Sequence, residues 1–243
     1  MAATGMVAVQ AFARLGMAPS YGSALAVRYA RPPAAIPSKH VPGPVRDHLG
    51  CDGHPCQGVE GVLSTFRVVG RERRRLAGPL RTALCVHVAT KVGGVDLVAT
   101  HLASSSDDRP CDGSTCPAPC AVSDTLNACQ GREAVAFLQE KRLPHSVAIL
   151  AGDLNAKPDE PSINAIAAAG FVDTHRDVGN TECTPASGLN CTSGRIDDAM
   201  TDMKDQNSKQ SERIDYVFLM PLTRCRTVHT TGIFAQTGGP VAN

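Results

Sequence analysis

The chain has 243 residues, of which 42% are hydrophobic, and a net charge of +1. This length and composition suit one large globular domain over residues 1–243, and exclude both a disordered chain and a global basic field that gathers polyanions. Aromatic residues make up only 4% and tryptophan is absent, which argues against an aromatic membrane anchor.

Taken in order, Val7 to Leu15 reads as a short helix that stops near Gly16. Ser23 to Tyr29 reads as a strand. Arg31 to Pro44 holds five prolines and must be a loop. Cys51 to Gly61 is rich in glycine and cysteine, and Val59 to Val69 has a strand-like centre. Four arginines surround Glu72 between Arg71 and Arg75. They read as a solvated turn between strands, the alternative being a phosphate-facing patch. Arg81 to Ala89 and Val95 to Thr100 form a hairpin across the two glycines of Lys91–Gly94. After a polar loop from Ser104 to Ala121, the spacing predicts a helix over 124–142, with Leu126, Cys129, Val135 and Leu138 on its apolar face and Pro144 beyond its end.

Val147 to Asn155 is the stretch around which the rest is organised. Its unbroken apolar run suits a strand buried on both faces. If the extended geometry persists, Asp153 and Asn155 point the same way; the alternative is an Asx-turn. Asp159 is the N-cap expected for a helix that has Pro161 in its first turn and stops at Gly170. Gly179 to Gln210 reads as irregular, Ile214 to Leu219 as a strand, and Cys225 to Phe234 as one more. Strands outnumber helices and neighbouring strands are hairpin-linked, so the expected class is α+β with mainly antiparallel sheets.

The ten cysteines are even in number, and most fall in polar, Gly/Pro-rich stretches. This favours disulfides, with Cys51/Cys56 and Cys183/Cys191 as small loops, and an oxidising compartment. The pairing among Cys111, Cys116, Cys120 and Cys129 stays open, and zinc is the competing use. The expected location is secreted or cell-surface, although no signal peptide is legible in the chain and no run reaches the length of a membrane span.

Three strand ends carry polar side chains: His101 in Thr-His-Leu, Asp153 and Asn155 in Gly-Asp-Leu-Asn, and Asp215 in Arg-Ile-Asp-Tyr. A carboxylate inside an apolar strand costs several kcal/mol without partners, and Arg213 is the partner expected on the same side as Asp215. Together the three ends suggest convergence at one end of a sheet.

In this order the motifs resemble those of the endonuclease/exonuclease/phosphatase superfamily, from about Gly16 to Phe234, in the manner of a secreted bacterial branch. That superfamily includes deoxyribonucleases, neutral sphingomyelinases and inositol polyphosphate 5-phosphatases. The resemblance implies a four-layer α/β/β/α sandwich of two mainly antiparallel sheets, and a metal-dependent hydrolase of phosphate esters. It implies that Asp153 orients or deprotonates the attacking water and contacts the metal, that Asn155 hydrogen-bonds a phosphate oxygen, and that His101 contacts the scissile phosphate and assists as an acid. Asp215 would orient a further histidine. Mg²⁺ is the implied ion, with Mn²⁺ or Ca²⁺ as substitutes.

The sequence departs from the family in three places. No Gln-Glu pair follows an early strand, and no Ser-Asp-His closes the chain. Arg81 stands where deoxyribonucleases carry a glutamate beside their histidine. The domain is therefore expected to be incomplete at both termini, with little activity in this chain alone. The expected partner is a phosphate-ester substrate, nucleic acid being the first choice, without stable membrane insertion. The alternatives are a non-catalytic binding module that keeps the fold, and a sphingomyelinase- or inositol-phosphatase-type enzyme.

Overall fold

The computed structural model describes residues 66–78, 81–90, 93–105, 107–111, 116, 120, 125–186, 188–193 and 211–220, and the backbone of 9–14 and 59–64. The readings for 23–29, 31–44, 225–234 and the Cys51/Cys56 loop lie outside these residues.

Eight strands and three helices are present among the described residues: β1 (Val9–Arg14), β2 (Val59–Ser64), β3 (Arg67–Arg75), β4 (Thr82–Thr90), β5 (Gly93–His101), α1 (Leu126–Lys141), β6 (Val147–Asp153), α2 (Pro161–Ala168), β7 (Val172–Asp173), α3 (Thr174–Asp177) and β8 (Asp215–Leu219). Six strands make one sheet in the order β3-β4-β5-β6-β8-β7. Only the β5–β6 pair is parallel among them, and α1 lies between those two strands in sequence. A parallel neighbour needs a long crossover, and the 124–142 stretch supplies it as a helix. The expected α+β class with mainly antiparallel pairing is what forms.

Each central strand has two buried faces. Ala83, Cys85, Val98, Ala148, Leu150, Tyr216 and Phe218 meet Val135, Phe137 and Leu138 of α1 and Ile163 and Ile166 of α2. Val86, Val88, Val95, Leu97, Ile149, Ala151 and Leu219 form a second core on the opposite face. The antiparallel β1–β2 pair contacts β4, β5 and β6, whose helix side is already taken by α1, so it meets this second face. One face thus carries helices and the other a two-stranded sheet.

Several local expectations need correction. Val9–Arg14 is a strand and not part of a helix: its backbone pairs with Val59–Ser64, and tertiary pairing overrides the local propensity. Arg71–Arg75 is the end of β3 and not a turn. Arg74 lies over the Phe137 ring at 4.5 Å and pairs with Glu140, while Glu72 takes Lys141 at 2.6 Å, so the arginines decorate an edge strand. The N-cap of α2 is Glu160, without a side-chain bond; Asp159 instead accepts two hydrogen bonds from Arg176, at 2.8 and 3.1 Å. Helix α1 starts as its sequence suggests, with the Thr125 side chain accepting from the Ala128 N–H at 3.2 Å.

Among the described residues the disulfides are Cys111–Cys116, Cys120–Cys129 and Cys183–Cys191, so the Cys183/Cys191 loop is as expected. Cys85 is a buried free thiol on the helix side of β4, pushed up to about 12 by burial first and by the Asp96 and Glu72 charges next.

Candidate active site

The strand registers decide which side chains meet. His101 on β5 lies opposite Asp153 on β6, and Asp153 lies opposite Asp215 on β8. Side chains directly opposed across strands stand about 4.5–5.5 Å apart at Cβ. Alternation along each strand puts all three on the face away from the helices, at one end of the sheet. His101 Nε2 is 3.5 Å from Asp153 Oδ2, too far for a strong hydrogen bond. The His101 side chain is 6% exposed and that of Asp153 23%, so the row reaches solvent at Asp153.

Arg213 does not face Asp215. Its guanidinium goes to Asp173 at 2.8 Å and Glu182 at 2.9 Å, and stacks over the Tyr216 ring at 4.4 Å. Asp215 therefore loses the arginine partner its sequence context suggests. Its Oδ1 is buried with no hydrogen-bond partner, and so is His101 Nδ1.

These placements set the protonation. Burial raises the Asp153 carboxyl to about 6, against a backbone hydrogen bond from Asn155 and the nearby Arg81 charge, both of which pull it down. Asp215 is raised further, by burial and then by the Asp153 charge, with Thr192 pulling the other way. Two adjacent carboxylates in a low-dielectric setting resist ionising together, and a cation between or beside them relieves the repulsion. His101 is lowered to about 4, by burial first and Arg81 next, so it is neutral at pH 7. A neutral imidazole donates or accepts one hydrogen bond, but it is a poor stand-in for an imidazolium acid.

The extended geometry does not persist beyond Asp153. Asn155 has φ +47°, and its N–H donates to Asp153 Oδ1 at 2.9 Å, which is the Asx-turn. Its side-chain Nδ2 donates to the Leu102 carbonyl at 2.9 Å, so the amide ties the loop after β6 to the loop after β5. Gly152 makes this approach possible. It has φ +143°, and a Cβ there would stand 1.9 Å from the Thr100 carbonyl oxygen.

Helix α1 holds the same two loops. Asn127 Nδ2 donates to the carbonyls of Ala103 at 2.6 Å and Leu154 at 2.9 Å. Gln130 accepts from the Ala103 N–H at 2.7 Å and donates to the Ala77 carbonyl at 2.6 Å. Sequence reading missed both, because polar residues in a helix read as its solvent face. It also missed Thr192, whose Oγ1 accepts from the N–H groups of Ile214 and Asp215 at 3.1 Å each. The only signal for Thr192 was its position beside Cys191.

Among the described residues, two cysteine groups have ligand atoms close enough for a metal, Cys111/Cys116/Cys129 and Cys120/Cys129/Glu133. Their sulfurs are used in the Cys111–Cys116 and Cys120–Cys129 disulfides and hold no thiolate for a cation. The oxygen-rich Asp153–Asp215 pair fits a hard divalent ion better, given its adjacent carboxylates and orphaned Oδ1.

No family model matches the sequence, and no curated protein matches it. Among solved structures, several match part of the chain at low identity. Sphingomyelinase C from Streptomyces griseocarneus is 24% identical over 66% of this chain and 51% of that one, with a TM-score of 0.43. An endonuclease/exonuclease/phosphatase family protein from Bacteroides thetaiotaomicron is 16% identical over 68% and 54%, at 0.45. A β-hairpin deletion mutant of Staphylococcus aureus β toxin is 16% identical over 72% and 60%, at 0.42. The chain thus spans about half to three-fifths of the length of the structures it matches.

Proposed function

We propose that this chain carries the centre of a divalent-metal-dependent phosphate-ester hydrolase. The observation that carries the reading is the row His101–Asp153–Asp215 across three neighbouring strands, with an unpaired buried carboxylate oxygen at one end. A bound Mg²⁺ or Mn²⁺ would neutralise charge developing on the phosphoryl group. Asp153 and Asp215 would hold that ion through their oxygens. Asp153, whose side chain is 23% exposed, is placed to orient the attacking water and accept its proton. His101, neutral at pH 7, is placed to hydrogen-bond a phosphoryl oxygen. The Asn155 amide is occupied by the Leu102 carbonyl, so its first role is to fix the loop and, through its N–H, the Asp153 carboxylate. The three disulfides among the described residues support an extracytoplasmic, secreted or surface setting. No helix among the described residues is long and apolar enough to cross a membrane.

A second reading rests on those same loop bonds. Asp153 Oδ1 and the Asn155 amide are both satisfied by local backbone, which is what a binding module that keeps the fold without chemistry would need. Within the enzyme reading, polynucleotides are the first substrate and sphingomyelin or inositol phosphates the alternatives. The full-length gene product should be incubated with plasmid DNA, RNA, sphingomyelin vesicles and inositol phosphates, each with Mg²⁺ and with chelator. Chelator-sensitive release from any one names the substrate. No release from any of the four leaves the binding module as the surviving account.

A further inference from the structure

Edge strand β3 carries a set of charges that the chemistry above does not use. Arg71, Arg73 and Arg75 lie opposite Val86, Leu84 and Thr82 of β4. Directly opposed residues point to the same face, and Val86 belongs to the core away from the helices. The three arginines therefore share the face of His101, Asp153 and Asp215. Glu72 and Arg74, between them, point to α1, where they meet Lys141 and Glu140. The β1–β2 pair covers this face over β4, β5 and β6, and Arg71 and Arg75 stay exposed at the edge. Arg73 is half-buried, and its Nε is buried without a hydrogen-bond partner. Among the described residues neither Arg73 nor Arg75 forms an ion pair, while Arg74 on the other face does.

Strand register ties this set to the site. Arg75 is level with Thr82, and the pairing of Ala83 with Thr100 brings Thr82 level with His101. One row across the end of the sheet thus holds Arg75, Thr82, His101, Asp153 and Asp215. Neighbouring strands lie about 4.8 Å apart, so three strand spacings put Arg75 roughly 14 Å from Asp153. That span is about four nucleotides at the 3.4 Å rise of one nucleic-acid strand. From Arg75 the arginines repeat at every second residue, about 7 Å apart. Such a series suits a chain of evenly spaced phosphates, whose oxygens match the planar donors of arginine. The net charge of +1 gives no general attraction for polyanions, so any such attraction must come from local placement of charge.

We propose that Arg73 and Arg75 form a nucleic-acid backbone contact, holding phosphates a few nucleotides away from the one that reaches Asp153. The proposal rests on the phosphate-ester reading of the row and names its substrate as a polynucleotide. A small phosphate ester occupies the row alone and makes no contact with β3. A polynucleotide adds the β3 contacts without any base being read, since phosphate contacts position a strand and carry no sequence information.

The test is fluorescence anisotropy with a labelled DNA duplex of mixed sequence, over a salt series and with chelator present so that nothing is cleaved. The proteins are the full-length gene product as wild type, the double variant Arg73→Gln with Arg75→Gln, the single variant Arg75→Gln, and Arg67→Gln. Arg67 is an exposed arginine of the same strand that lies opposite Ala89, on the helix face, so it controls for net charge. The double variant should bind about 10-fold or more weakly at low salt, the loss expected for charge-assisted hydrogen bonds. Its dependence of log K on log salt should flatten by about 0.9 for each arginine removed. Arg67→Gln should bind as wild type does. No duplex binding by wild type, an unchanged double variant, or equal weakening in Arg67→Gln overturns the proposal. Binding to phosphatidylserine vesicles in place of DNA, lost in the double variant, also overturns it and assigns the face to a lipid surface. If the double variant does not fold, Arg75→Gln decides, and an unchanged affinity and slope there overturn the proposal. Arg75-dependent binding without any hydrolysis would sink the enzyme reading alone. Asp153-dependent hydrolysis of DNA, with affinity indifferent to both arginines, would sink this inference alone.

Discussion

Asp96 and Asp215 mark the difference between a structural carboxylate and a functional one. Asp96, on β5, is fully buried and fully satisfied: Oδ1 pairs with His87 Nδ1 at 2.7 Å, and Oδ2 accepts from the Leu143 N–H at 2.7 Å and from the Ser146 hydroxyl. Asp215 has an orphaned oxygen and a like charge opposite it. Burying an unpaired charge costs stability, and such a cost is tolerated where a ligand later offsets it. The folded-state pKa values of Asp153 and Asp215 both lie above the unfolded value, so the folded state binds these protons more tightly. Stability from this source is full below about pH 4 and is lost as pH rises through about 6 and 8. Without divalent ions, Asp215→Asn should therefore melt higher than wild type at pH 8, by about 2–4 °C for each kcal/mol relieved, and the gain should vanish near pH 4. Calorimetric melts at the two pH values check this. A lower melting temperature at pH 8 would mean that the carboxylate is satisfied.

At the scale of elements, the site depends on how closely β5 and β6 approach and on how α1 clamps the loops beyond them. Gly152→Ala should destabilise the fold by at least about 3 kcal/mol, because the new methyl meets backbone and not a yielding side chain. Asn127→Ala leaves the Ala103 and Leu154 carbonyls without their amide donor, and should cost about 2–3 kcal/mol in a denaturant titration. A loss below 0.5 kcal/mol would mean that water replaces the clamp. Much of this level was legible. The β4–β5 hairpin, helix α1, strand β6 and strand β8 each carry a local signal in apolar runs, glycines or a proline stop. What was not legible depends on distant partners. Val9–Arg14 is extended because β2 pairs with it, Arg71–Arg75 is a strand because β4 and α1 receive it, and Asp159 leaves its cap because Arg176 takes its carboxylate. Arg213 was misplaced for the same reason: sequence adjacency suggested Asp215, while its acceptors lie at Asp173 and Glu182.

For the molecule as a whole, the sequence placed His101, Asp153 and Asp215 at strand ends but could not say that one cross-strand register joins them. That follows from the parallel β5–β6 and antiparallel β6–β8 pairings, which only the folded sheet specifies. The disulfides brace the same region: Cys120–Cys129 fixes the start of α1, and Cys183–Cys191 adjoins Thr192 beneath Asp215. Reducing them should lower stability by about 2–4 kcal/mol each. Cys85, buried and held as the neutral thiol, should remain unalkylated in the folded protein and react only after unfolding, as read by peptide mapping. The most direct test of the central claim is the initial rate of phosphodiester hydrolysis by the full-length gene product, titrated with Mg²⁺, for wild type and Asp153→Ala. The row predicts a rate that rises with Mg²⁺, is abolished by chelator, and falls about 100-fold or more in the variant. A rate indifferent to chelator, or equal in Asp153→Ala, would contradict it.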